Sequence, residues 1–196
     1  MNVAQYMRSE PVTVLPSCSV DDAREVMEKH GFGLLLVAAE DATLDGFLTR
    51  AALASVEDGS LPVSRVRAKA RFEVSPQDTV EKAALIMLAN GLVVLPVVEE
   101  GRLVGVLSQT EILRALAAGL GIGTEGTRVT VKVRPSGADV YRVLDVLRKH
   151  EARLLSIICD PPQGERRNMV LRVQGVADRD LLCRELESVL TTADDA

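Results

Sequence analysis

The sequence has little of the chemistry that most enzymes use, because its 196 residues contain two histidines, three cysteines and no tryptophan. Histidine serves most acid–base, triad and zinc sites, yet His30 and His150 each close a predicted helix, where the helix dipole favours a cation. Cys18, Cys159 and Cys183 are odd in number and form no CxxC pair, so they indicate neither a disulfide framework nor a zinc site. No catalytic or metal-binding residue is predicted.

The sequence also lacks a long hydrophobic run and an excess of basic residues. Its longest apolar stretch, residues 31–39, is far shorter than the roughly 20 residues of a membrane helix, so no membrane association is expected. Gln5, Arg8 and Glu10 interrupt the region where a secretory signal needs a continuous apolar segment, which predicts a cytoplasmic location. A net charge of −5 argues against nucleic acid as the main partner.

An internal repeat organises the first 120 residues. Positions recur at an offset of 60 and then, after one residue is gained in the first copy, at an offset of 59. The recurring pairs include Val14 and Val74, Gly31 and Gly91, Val37 and Val97, Gly46 and Gly105, and Thr49 and Ser108. Each copy predicts a short strand, a helix, a buried hairpin and a last helix that begins after Thr49 or Ser108. The free N–H groups at that helix start suit an anion.

Capping patterns mark the first helix of each copy. Ser19 with Asp22 opens the helix of the first copy, and Asp78 with Glu81 is the corresponding pair in the second. Gly91 is predicted to end the second of these helices.

A different unit follows residues 119–126, which contain four of the 14 glycines and are predicted to form a flexible linker. Val129, Val131 and Val133 alternate with polar residues, as in a half-exposed strand. A helix with capping spacing between Ser136 and Asp139, a hairpin and a closing helix give the order βαββα over residues 127–190. Residues 191–196 are short and polar and are expected to fray.

The repeated unit resembles the cystathionine-β-synthase (CBS) domain. The resemblance rests on the turns at residues 46–52 (GFLTRAA) and 105–111 (GVLSQTE) and on residues 95–98 (LPVV). It implies one CBS domain over residues 1–60 and a second over 61–118, a pair known as a Bateman module. Residues 127–190 are similar to an ACT domain, although its expected last strand is weak or missing. The whole arrangement resembles the acetoin-utilisation regulatory proteins, so the expected fold class is α/β (α+β): a tandem CBS pair followed by a βαββα ferredoxin-like ACT domain.

Resemblance to CBS domains implies an adenosine-type ligand: AMP, ADP, ATP or S-adenosylmethionine. The family pattern places the turn hydroxyl near phosphate and lets the following acid accept hydrogen bonds from the ribose. Ser108 and Glu111 fill that pattern in the second turn, whereas Ala52 stands where the first turn, with Thr49, should have its acid. The residues assigned to ligand binding are Thr13, Gly46, Thr49, Arg50, Gly105, Ser108, Gln109 and Glu111.

Two features of the sequence leave alternatives open. Ser-x-x-Glu is itself a capping box, so Ser108 and Glu111 could serve the last helix alone. The basic residue that many family members place before the Pro-Val strand is absent, so phosphate would have to meet Arg50, Arg65 or Arg67.

In the ACT-like unit, resemblance implies a small-molecule site at the first strand–helix loop, with Ser136, Gly137 and Asp139 as candidates. The alternative is a capped helix start in a domain used for dimerisation. Overall, a non-catalytic regulatory protein is predicted, with a ligand-free scaffold as the alternative. An enzyme is disfavoured because the sequence shows no nucleophile with a base, no metal cluster and no phosphate-binding loop. No cofactor is required, and we expect a homodimer or a higher even oligomer that transmits its signal within the chain or to a partner protein.

Overall fold

The computed structural model describes residues 1–191 of the chain. The chain divides into two compact units, Met1–Ala115 and the part from Leu116 onwards. Thr191 ends the last helix, and the rest of the predicted frayed tail lies outside the described residues.

The first unit contains two similar halves. The first half has strands β1 (Thr13–Val14), β2 (Leu34–Ala38) and β3 (Leu44–Thr49) and helices α1 (Val20–His30) and α2 (Arg50–Ala54). The second half has α3 (Val80–Asn90), β4 (Val94–Glu99), β5 (Arg102–Ser108) and the start of α4 (Gln109–Gly119). In the first half β1 pairs parallel to β2, and β2 pairs antiparallel to β3. In the second half β4 and β5 form an antiparallel hairpin, and Val74 bridges Val97 in parallel, as β1 does in the first half.

Local capping explains the helix boundaries. The Ser19 hydroxyl accepts a hydrogen bond from the Asp22 N–H at 3.1 Å, and the helix ends at Gly31 with φ of 68°. In the second half the cap is Thr79, whose hydroxyl accepts from the Lys82 N–H at 3.1 Å. The expectation that Asp78 would cap this helix was therefore wrong, because Asp78 instead accepts from the Ser75 N–H and the Lys82 ammonium.

The segments that precede the two halves cross over. Residues near the N-terminus pair with the second half: Arg8 exchanges two backbone hydrogen bonds with Val106, at 2.9 and 3.0 Å. The segment between the halves pairs with the first, where Ala68 exchanges two such bonds with Phe47, both of 2.9 Å. The second half is thus completed by the distant N-terminal segment, and the first half by the segment that follows it in the chain. Val3 and Val63, which share the offset of 60, are both fully buried in these cores.

This crossed pairing explains why glycine occupies positions 46 and 105. A Cβ on Gly46, at φ of 150°, would lie 2.2 Å from the Ala68 carbonyl oxygen, and one on Gly105 would lie 2.8 Å from the Arg8 carbonyl oxygen. Both glycines therefore let the added segment approach the strand closely.

Replacement of Gly46 by alanine is expected to destabilise the first half by about 3 kcal/mol, because the added methyl overlaps a backbone oxygen that cannot rotate away. Gly33→Ala is the matched control, since a Cβ there meets nothing within 4 Å; its effect should stay within about 1 kcal/mol. Urea unfolding measures both. Equal effects of the two substitutions would contradict the close-approach explanation.

The second unit contains β6 (Thr127–Val133), α5 (Ala138–Lys149), β7 (Arg153–Cys159), β8 (Arg167–Gln174) and α6 (Arg179–Thr191). The antiparallel sheet has the order β6-β8-β7. Alternate residues of β6 and β8 pack against both helices in one apolar core, with members that include Val131, Leu171, Val146 and Leu186. The predicted element order βαββα is present in this unit.

The glycine-rich segment predicted to be a flexible linker contacts the sheet of the second unit. The Ser156 hydroxyl donates to the Leu120 carbonyl at 2.9 Å, and an Arg172 Nη donates to the Thr124 carbonyl at 2.6 Å. Gly121, at φ of 66°, is buried against the Arg172 side chain.

Candidate functional site

The turn between β5 and α4 has a buried carboxylate at its centre. Glu111 is 3% exposed. Its Oε2 accepts hydrogen bonds from the Ser108 hydroxyl and, at 3.1 Å, from the Ser108 N–H. Its Oε1 accepts from Arg8 Nε at 3.0 Å and from an Arg114 Nη at 3.4 Å. Four donors from the chain therefore meet the roughly four acceptor positions of the carboxylate.

These donors keep Glu111 ionised. Burial alone would raise its pKa, but the hydrogen bonds from Ser108 and Arg8 outweigh burial, and the pKa lies below its ordinary value. A charged, fully hydrogen-bonded carboxylate at the start of a helix also interacts favourably with the helix dipole.

Arg8 is the member of this cluster that sequence reasoning missed. Its backbone is fixed by the bonds to Val106, and its side chain is 61% exposed. Among residues 1–191, neither terminal nitrogen of Arg8 has a hydrogen-bond partner. The signal was present in the repeat, since Ala68 and Ala52 occupy the positions that correspond to Arg8 and Glu111. The first half therefore lacks both members of the pair.

The corresponding turn of the first half is simpler. The Thr49 hydroxyl accepts from the Ala52 N–H at 3.1 Å and caps α2, a helix of five residues. Thr13 lies in β1 opposite Leu36. The eight predicted ligand residues thus fall into two groups, four in each half. In the second half Ser108, Gln109 and Glu111 lie at the turn, and Gly105 lies within β5, beside the Arg8 carbonyl.

Arg50 and Gln109 make equivalent contacts in the two halves. An Arg50 Nη donates to the Phe32 carbonyl at 2.9 Å, and the Gln109 side-chain amide donates to the Leu92 carbonyl at 3.0 Å. Each bond ties the last helix of its half to the segment that follows the first helix. Arg50 also lines a groove of about 290 Å³ in the first half, together with Arg24, Met27, Glu28, Leu53 and Ala54.

Arg67, another predicted source of positive charge, is already paired. Its guanidinium donates to both carboxylate oxygens of Asp45, at 2.5 and 2.6 Å, and to the Ser64 carbonyl. The hydrogen bond to Asp45 raises the pKa of Arg67. Arg65 is exposed.

The loop after β6 in the second unit also has a buried acid. Asp139 is 1% exposed and accepts from the Arg134 N–H at 2.8 Å and from an Arg134 Nη at 2.6 Å. The hydrogen bond from the Arg134 side chain lowers the pKa of Asp139 against the effect of burial. The helix cap is Gly137, at φ of 81°, with no side-chain cap bond. The expected Ser136 capping box is therefore wrong.

Metal clusters and membrane-spanning helices are both absent from the described part of the chain. Within residues 1–191, no group of three or more His, Cys, Asp and Glu side chains is placed to hold a metal ion. No helix in the same residues is long and apolar enough to cross a membrane.

Comparison with protein families defines the class. A family profile for the CBS domain matches residues 3–59 and 64–118. These two ranges cover more than half of the chain, so the chain belongs to the CBS-domain family, and the predicted tandem pair is confirmed.

Individual relatives of similar sequence include other CBS-domain proteins. Inosine-5′-monophosphate dehydrogenase of Korarchaeum cryptofilum is 30% identical over 164 residues, which are 77% of this chain and 34% of the enzyme. The chain thus spans about one third of the length of that relative. The CBS domain-containing protein YhcV of Bacillus subtilis is 29% identical over 112 residues, 55% of this chain and 79% of YhcV.

Solved structures match the CBS pair. CBSX2 in complex with AMP is 26% identical, covers 59% of this chain and 95% of its own, and has a TM-score of 0.55. A CBS domain pair/ACT domain protein of Thermotoga maritima gives 26% identity, 59% and 96% coverage and a TM-score of 0.55. The acetoin utilization protein AcuB of Vibrio cholerae shares the fold, with 21% identity, 59% and 90% coverage and a TM-score of 0.56. The ACT assignment of the second unit stays a prediction.

Proposed function

We propose that this protein is a non-catalytic, cytoplasmic regulatory protein whose CBS pair binds an adenosine-type ligand, with AMP as the first candidate. The observation that carries the proposal is the Ser108 turn, where a hydroxyl, a helix start and an arginine–carboxylate pair lie together. The AMP complex of CBSX2, at 26% identity, supports the choice of ligand. ADP, ATP and S-adenosylmethionine remain candidates of the same class.

One ligand per chain is proposed, at the second turn. The first turn has Ala52 and Ala68 where the second has Glu111 and Arg8, so it offers a ligand no charged group at these two positions. Its helix α2 is also short, with five residues against eleven in α4.

A regulatory role needs two conformations with different affinities for the ligand. The crossed pairing supplies a physical link, because Arg8 lies both in the site and in the segment that completes the second half. The similarity to inosine-5′-monophosphate dehydrogenase covers only 34% of that enzyme, so it does not support assigning the catalytic activity of the enzyme to this chain.

We further propose that the second unit is an ACT-like domain over residues 127–190, joined through residues 119–126. Asp139 is saturated by Arg134 and Arg142, which favours a structural role for this acid and a dimerisation role for the domain. Ser136 and Gly137 remain the candidate contacts if the domain binds a small molecule.

A homodimer is part of the proposal. Helices α3 and α4 carry three exposed leucines, Leu85, Leu88 and Leu113, which are 68%, 79% and 67% exposed. The corresponding residues of the first half are Glu25, Glu28 and Ala54, so the repeat folds without leucine at these positions. A dimer with a two-fold axis would pack the leucines of one second half against those of the other. A head-to-tail contact would pack the second half of one chain against the first half of the next, which would bury Glu25 and Glu28 against leucines without charged partners.

Light scattering at micromolar concentration is expected to give about twice 21.1 kDa, and the pair of substitutions Leu85→Glu and Leu88→Glu should reduce it to the single-chain mass. Leu15→Glu, a change at a leucine of the first half that is 41% exposed, is the control, and a doubled mass in the Leu85 and Leu88 variant would assign dimerisation to the second unit instead. A single-chain mass for the unaltered protein would exclude the dimer.

Thermal melting in the presence of AMP tests the proposed function against the ligand-free scaffold. A ligand at about 100 times its dissociation constant adds roughly 2.7 kcal/mol to the free energy of unfolding, so a clear rise in Tm is expected. ADP, ATP, S-adenosylmethionine and NADH form the comparison set. Unchanged melting with all of them would favour the scaffold.

A further inference from the structure

We propose that Arg8 is the phosphate-binding residue of the Ser108 site and that Glu111 positions its guanidinium. This inference rests on the proposed function, because it concerns how the adenosine-type ligand is held. It assigns to Glu111 a role different from the ribose contact that the family pattern implies.

The first step is the saturation of Glu111. Both of its oxygens already accept two hydrogen bonds, from Ser108 on one side and from Arg8 and Arg114 on the other. A ribose hydroxyl could bind the carboxylate only after one of these donors left. The carboxylate is also 3% exposed, so a ligand in solvent would have little access to it.

The second step is the fixed position of Arg8. Two backbone bonds to Val106 hold its main chain, and Nε is held by Glu111 at 3.0 Å. The guanidinium is planar, so fixing Nε also limits where the two terminal nitrogens can lie. These nitrogens have no partner among residues 1–191, and the side chain is 61% exposed. A pair of N–H donors held in this way suits a phosphate, which guanidinium binds in bidentate geometry.

The third step is the shared contact with Ser108. Ser108 and Arg8 bond to the two different oxygens of the same carboxylate, so the hydroxyl and the guanidinium flank one side chain. The helix start alone offers fewer donors than its position suggests. The Gln109 N–H bonds to the Val93 carbonyl, and the Thr110 N–H bonds to the Ser108 hydroxyl. The Arg8 guanidinium therefore supplies, at the start of α4, a positive charge that these N–H groups do not.

The repeat provides an internal comparison. The same backbone pairing holds Ala68 in the first half, where the corresponding acid is Ala52. The fold of the half therefore requires neither the arginine nor the carboxylate. The two residues are present together in one half and missing together in the other, as expected if the acid serves to hold the arginine.

Calorimetric titration with adenosine and with AMP tests this assignment, because the two ligands differ by the phosphate. For Arg8→Gln, the affinity for AMP is expected to fall at least about tenfold, while that for adenosine changes less than about threefold. Glu111→Gln should give the same pattern with a smaller loss, and Arg8→Lys should keep part of the preference for AMP. Arg102→Gln is the control, since Arg102 begins β5 and Ser108 ends it.

The outcomes separate the two proposals. If the unaltered protein binds neither ligand, the proposed function fails and this inference fails with it. If both ligands bind but Arg8→Gln weakens them equally, or leaves the preference for AMP unchanged, Arg8 is not the phosphate contact. Equal weakening of adenosine and AMP by Glu111→Gln would identify Glu111 as the ribose acceptor instead.

A gain-of-function variant tests the same assignment even if the loss-of-function variants fail to fold. The double change Ala52→Glu and Ala68→Arg installs the pair in the first half. The stoichiometry of AMP is expected to rise from one to two per chain, with Ala68→Arg alone less effective. An unchanged stoichiometry in a folded double variant would count against the arginine–carboxylate pair as the determinant of phosphate binding.

Discussion

Asp139→Ala is expected to lower the free energy of unfolding of the second unit by about 3 kcal/mol, because it removes a buried, charged acceptor of hydrogen bonds from the Arg134 N–H and from two arginine side chains. The carboxylate is 1% exposed and accepts from the backbone and side chain of Arg134 and from Arg142. Without it, the Arg134 N–H, just after β6, loses the Asp139 acceptor.

The control for this change is Asp145→Ala on the same helix. Asp145 pairs with Arg148 at 3.4 Å, but both side chains are largely exposed, at 67% and 82%. Exposed pairs contribute little, so the effect should stay within about 0.5 kcal/mol. Urea unfolding monitored by amide hydrogen exchange in β6 and α5 measures both variants. Similar losses for the two would show that burial of Asp139 does not matter.

The Asp139 effect should depend on pH in a defined direction. The pKa of Asp139 is lowered, first by the hydrogen bond from the Arg134 side chain and against the effect of burial. The stabilisation is therefore complete above the pKa of the unfolded state, about 3.9, and is lost as pH falls through the lower folded pKa. The difference between Asp139→Ala and the unaltered protein should shrink below about pH 4.

Glu111→Ala is expected to cost the first unit about 2 kcal/mol, independently of any ligand. The substitution removes the acceptor of the Ser108 N–H and of Arg8 Nε from a buried position. Arg8 is 61% exposed and can be solvated when its partner is lost, which keeps the expected cost below that of a fully buried pair. Glu81→Ala, at an exposed acid in the first turn of α3, is the control and should cost less than about 1 kcal/mol.

A double-mutant cycle identifies the source of the Glu111 effect. Arg8→Ala, Glu111→Ala and the double variant should show coupling, because the two side chains share one hydrogen bond. The coupling should be complete above the ordinary pKa of glutamate, about 4.3, and should be lost only as pH falls through the lower pKa of folded Glu111. Additive effects at neutral pH would mean that Arg8 and Glu111 stabilise the turn separately.

The sequence was sufficient for features that depend on neighbours in the chain. The helix that ends at Gly91 and the alternation of Val129, Val131 and Val133 follow from local spacing, which controls helix and strand formation. The repeat follows from comparing the chain with itself at offsets of 60 and 59 residues. Errors were also local. Thr79 caps α3 in place of Asp78 because Asp78 bonds to Ser75 and Lys82, a competition among adjacent side chains that a spacing rule cannot rank.

The sequence by itself thus determined that the chain is a duplicated CBS pair with a βαββα unit behind it, and that the two turns differ at Ala52 and Glu111. Only the tertiary structure decided which groups surround these turns. Arg8 and Glu111 are 103 residues apart and meet because the N-terminal segment pairs with β5. Backbone pairing between distant strands depends on the packing of the whole core and not on local periodicity, so residue spacing could not place the arginine beside the carboxylate.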